Sequence, residues 1–73
     1  MIAWEKIQAG DVLYEVKRER GQRCTFPVKI VSIDHAADRA IVIWNGNSHA
    51  PKRWSRHMVC RLQKSYPGQR GAT

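Results

Sequence analysis

Lys52, Arg53 and Arg56 bracket Trp54 within five residues, and Arg61 and Lys64 follow close behind. Basic side chains interleaved with an aromatic can grip a phosphate backbone while a base stacks on the ring. That pattern predicts phosphate contacts from Lys52, Arg53, Arg56, Arg61 and Lys64. Trp54, with Trp44 in support, is the predicted stacking surface. The chemistry is sequence-tolerant binding of DNA or RNA, with no cofactor. If about four phosphates were neutralised, affinity would fall about 150-fold between 50 and 200 mM salt.

The charge distribution points the same way. Lys and Arg number 13 against 6 Asp and Glu, for a formal charge of +7 in 73 residues. Residues 1–38 hold all six acids and six of the bases, and are neutral. From Arg39 onward there are seven bases and no acid. A surplus of that kind makes a positive field that attracts polyanions. Two blander readings fit the same residues. One is a solvated basic face with Trp54 in the core. The other is a protein-interaction module, such as a phage or mobile-element accessory protein, that binds an acidic host partner.

Other chemistry is thinly represented. Cys24, His35, His49, His57 and Cys60 are the zinc-ligand types, and only His57 and Cys60 lie three apart. No second close pair completes a tetrahedral set. Cys60 reads better as a small core hydrophobe. Asp34-His35 has no neighbouring Ser or Cys to activate, and no glycine loop could cradle a phosphate. The chain is therefore read as a binding protein without enzymatic activity. Seventy-three residues predict one small domain rather than a two-domain enzyme.

These residues must be carried by short elements. Trp4 and Ile7, three apart, suggest one helical turn or an irregular lead-in over 1–9. Gly10-Asp11 marks a turn. Residues 12–18 alternate as a half-buried strand, with Val12, Tyr14 and Val16 on one side. Residues 19–25 are polar, hold Gly21, and read as a mobile loop. Phe26-Pro27 ends it, with Pro27 suited to a strand start or an edge. Residues 28–34 form the second strand and 35–39 a short turn. The unbroken apolar run 40–44 predicts a central third strand. Asn45-Gly46-Asn47 is a hairpin signal. A fourth strand over 48–54 must be an edge because of Pro51. Ser55 caps a single turn through Met58, and 59–62 make a last short strand. Residues 65–73 read as a flexible basic tail.

The order Gly10-Asp11-Val12-Leu13, then residues 28–34, then 40–46, then Trp54-Ser55-Arg56-His57-Met58-Val59, resembles an SH3-like small barrel. The resemblance covers about residues 10–63, and within that fold it is closest to the Tudor, chromo and KOW groups. It implies an all-β, five-stranded antiparallel barrel over residues 10–64, with one short helical turn before the last strand. The KOW pattern wants glycines between its first two strands, where this chain has Gly21 and then Gln22-Arg23-Cys24-Thr25. In Tudor and chromo domains aromatics cage a methylated cation. Tyr14, Phe26, Trp44 and Trp54, with Asn45 or Asn47, are the residues that could correspond, although plain core packing is favoured for them.

No apolar run approaches the ~20 residues a membrane span requires, and residues 1–6 do not resemble a signal peptide. The expectation is a cytoplasmic protein with Cys24 and Cys60 reduced. An exposed strand beside Pro27 or Pro51 could pair two copies into a weak homodimer.

Overall fold

The computed structural model describes residues 1–65. Apart from Ser65, the expected tail lies outside the described residues. The chain is mostly β: strands β1 (Val12–Glu19), β2 (Gln22–Asp34), β3 (Arg39–Trp44) and β4 (Lys52–Ser55) form one open antiparallel sheet in that order. A 3-10 turn, Trp4–Lys6, precedes the sheet, and a five-residue helix α1, Arg56–Cys60, follows it.

Period-two alternation sets the faces. Leu13, Val28, Ile30, Ala40, Val42 and Trp54 are buried on one side. Register aligns them: Leu13 opposite Val28, Ile30 opposite Val42, and Ala40 opposite Trp54. Trp4, Ile7, Val59, Cys60 and Leu62 complete this core from the two chain ends. The lead-in is therefore part of the domain. His35 ties it down: Trp4 Nε1 donates to the His35 carbonyl at 3.1 Å, and His35 Nε2 lies 2.9 Å from the Ile7 carbonyl. A carbonyl only accepts, so Nε2 carries the proton.

β2 contains one irregularity. Ile30 faces Val42, but the next pair is Ser32 with Ile41, leaving Val31 as an extra residue. This bulge changes the parity of the strand. Ile33 thereby packs against the core, while Ser32 and Asp34 turn to the other face.

The polar segment 19–25 is not a loop. β1 and β2 run on to a two-residue turn closed by Glu19 opposite Gln22. Arg20 (φ 53°) and Gly21 (φ 79°) both take the left-handed conformation, which matches a type I′ hairpin. Arg at the first position bears a steric cost that Asn largely avoids. Arg20→Asn should therefore raise stability by about 0.5–1 kcal/mol. Urea unfolding followed by circular dichroism checks this, and a lowered midpoint would refute it.

Three further expectations need correction. Pro27 lies inside β2, an inner strand, rather than at a start or an edge. It is tolerated there because Tyr14, opposite it in β1, directs its own N–H and carbonyl outward to Gln63. On the other side the Pro27 carbonyl accepts from Asn45 N at 2.6 Å, where β3 has already ended. Asn45-Gly46 does turn the chain, with φ 52° and 75°. It does so inside a seven-residue connection, and β4 begins only at Lys52. Finally, there is no fifth strand among the described residues. Val59 and Cys60 are buried consecutively and Leu62 three residues on, which is helical spacing. Ser55 Oγ caps α1 by accepting from Met58 N at 3.5 Å, and the helix continues through Cys60. Only Gln63 meets the sheet, through a single antiparallel bridge to Tyr14.

Candidate nucleic-acid interface

The structure distributes the five predicted phosphate contacts over different surfaces. Lys52 and Arg53 are neighbours on β4, the sheet edge, and point to opposite faces. Arg56 opens α1 and reaches Asp38 Oδ1 at 3.5 Å, an exposed pair of small energetic weight. Arg61 lines a hollow of about 140 Å³ with Glu15, Val16, Trp54, Met58 and Leu62. Lys64 lines another, with Lys6, Gln8, Asp11, Val12 and Leu13. No single face gathers all five.

The two predicted stacking rings also separate. Trp54 is only 9% exposed and belongs to the core, so it is not an open stacking platform. Trp44 is half-buried at the end of β3. Its Nε1 donates to Glu15 Oε1 at 2.6 Å, and Phe26 packs against it with ring centroids 4.8 Å apart. Lys17 Nζ lies 5.8 Å from the same ring. The rings of Phe26 and Trp44 therefore fill each other's space rather than lining a cage. Tyr14 alternates to the opposite face of β1 from Glu15, so the four aromatics surround no common cavity.

Charge is sorted by sheet face rather than by chain half. The face turned away from the core carries Arg18 on β1, Arg23 and Lys29 on β2, Arg39 on β3 and Arg53 on β4. Asp34 is the one acid on these strands that shares it. All five cations are exposed. Arg18 and Arg23 stand directly opposite each other, a like-charge pair that weakens a sheet. Between the cations lie Val12, Tyr14, Pro27, Ile41 and Ile43. Sequence reading missed Arg18, Arg23 and Lys29 because the neutral sum of residues 1–38 hid them. Alternation within β1 and β2 was the signal: Glu15 and Glu19 fall on the other parity.

Four of the six acids, by contrast, are engaged within the molecule. Asp11 Oδ2 accepts from Gln8 N and Asp34 Oδ1 from Ala37 N, Glu15 holds Trp44, and Asp38 meets Arg56. Among the described residues, Arg56 is the one cation in an ion pair.

Cys24, on the hairpin, and Cys60, in the core, are both free thiols. Among the described residues no three His, Cys, Asp or Glu side chains gather as metal ligands would. Nor is any helix among them long and apolar enough to cross a membrane. No known protein family, characterised protein or solved structure matches this chain.

Proposed function

We propose that this protein binds nucleic acid, without catalysis, through the outer face of its sheet. The observation that carries the reading is the one-sided charge: five exposed cations against one acid on a single face. Arg53, from the original candidate set, belongs to this face, and Lys52 flanks it at the β4 edge. Arg18 opposite Arg23 supports the same reading, because an anion between them would relieve a repulsion that folding alone leaves in place. Along β2, Lys29 and Arg23 are six residues apart, about 20 Å of extended strand. That is the reach of a track for several phosphates rather than a pocket for one.

The SH3-like reading is kept in a reduced form. Gln63 bonds to the β1 edge where a fifth strand would pair, and α1 precedes it as the helical turn does in that fold. This position supports a barrel whose last strand has shrunk to a single bridge.

Fluorescence anisotropy with labelled single- and double-stranded oligonucleotides tests the proposal at 50 mM salt. Micromolar or tighter binding is expected, weakening about 100-fold by 200 mM salt if five phosphates are neutralised on a single strand. Absence of binding to every probe at micromolar protein would overturn it.

A further inference from the structure

We infer that the outer face is built for single-stranded nucleic acid, and that it seats one unstacked base in the hollow bounded by Val12, Pro27, Ile43 and Gly46. The inference rests on the nucleic-acid reading above and adds which strand form binds and where a base goes.

The hollow measures about 320 Å³ and is lined by Val12, Pro27, Lys29, Ile43, Gly46 and Ser48. This is the lower end of the range for small-ligand sites. Register explains its floor. Val12, Lys29 and Ile43 form one row across β1, β2 and β3, and Pro27 stands in the next row beside Tyr14. Strands lie about 4.8 Å apart, so the row spans roughly 10 Å, the scale of a planar heterocycle. Val12 is 44% exposed, which leaves its side chain open to a ligand. The turn at Asn45-Gly46 forms the wall: Gly46 presents only backbone, and Ser48 adds a hydroxyl at the rim.

Charge selects the occupant. An apolar hollow alone would suit many ligands, but this one lies inside a field of five cations, with Lys29 in its lining. Lys packs its stem along apolar surface while the ammonium stays in water, where it can meet a phosphate. The matching ligand carries repeated negative charge and flat apolar faces together. A single-stranded nucleic acid has both. In a duplex the base faces are stacked on one another and only edges show in the grooves, so the hollow gains nothing from it.

The test compares four probes of equal length and label on the intact chain at 50 mM salt. They are a mixed-sequence single strand, the same strand with abasic residues, the corresponding duplex, and polyglutamate as a competitor. The single strand should bind at least about fivefold tighter than the abasic strand, since one stacked base is worth about 1–3 kcal/mol. Ile43→Ser should remove most of that advantage while leaving abasic binding unchanged. Its circular dichroism should match that of the parent protein. Equal affinity for the single and abasic strands would overturn the base site yet leave phosphate binding standing. A duplex that binds more tightly than the single strand would overturn the strand preference. Displacement by polyglutamate at matched charge would show an acidic-protein surface instead. Failure of every probe would remove the underlying reading along with this one.

Discussion

Trp54→Ala should leave the protein largely unfolded at 25 °C. Removing a buried Trp costs about 3–5 kcal/mol, and domains of this size rarely hold more than about 3–5 kcal/mol in total. The loss is severe here because Trp54 joins three parts of the structure. It stands on β4 opposite Ala40, it belongs to the same core as Val59 and Leu62, and it borders the Arg61 hollow. The neighbours are a strand, a helix and a turn, and the long side chains beside the ring, Met58 and Arg61, are exposed and would refill only part of the space. Trp54→Phe keeps most of the volume and should stay folded, with oligonucleotide affinity within about twofold of the parent. Urea titration followed by far-UV circular dichroism, beside anisotropy, separates the two possibilities. An Ala variant that folds normally but no longer binds oligonucleotide would return Trp54 to the role of a stacking surface.

The second large effect concerns charge. Changing Lys29, Arg39 and Arg53 together to Gln should weaken single-strand binding at 50 mM salt by several hundred-fold. Each phosphate contact adds about 0.7 to the slope of log affinity against log salt for a single strand, so three lost contacts flatten it by about two. The substitutions lie on three strands but touch no core residue, and all three side chains are exposed. Surface changes of this kind usually move stability by less than about 0.5 kcal/mol. The matched control is Arg61 and Lys64 changed to Gln. Those residues lie beside the separate hollows that hold Glu15 and Asp11, and their loss should alter the slope by less than one. Should the control pair flatten the slope as much as the triple, the binding surface would follow the C-terminal half of the chain and not the sheet face.

How far the sequence reveals these features depends on which interactions decide them. Strands β1 and β3 are legible because alternation and β-branched residues are local, and so is the Ser55 cap, whose partner is three residues away. The hairpin at Arg20-Gly21 was hidden because Arg is not a type I′ residue and only the pairing of eight residues on each side holds it there. The helix over residues 56–60 displaced an expected strand for a similar reason. Val59, Cys60 and Leu62 are too few to distinguish a period of two from one of 3.6 until the core they enter is known. For the candidate site, Lys52, Arg53 and Trp54 are adjacent in sequence, and adjacency on a strand sends neighbours to opposite faces. A linear cluster there becomes a buried ring and two separated charges. The cations that do share a face come from four strands, and only the register between strands unites them.

Val31 gives the fold something like a reading frame. Its core-facing residues carry even numbers before Val31 and odd numbers after it, because the bulge absorbs one extra residue without moving those that follow to the wrong face. Without Val31, Ser32 would follow Ile30 in plain alternation and Ile33 would stay on the core side, whereas the same residues paired without a bulge would turn Ile33 outward and Asp34 inward. The way this strand is paired is therefore information of the same kind as residue type, whereas the seven-residue connection before β4 holds no such frame.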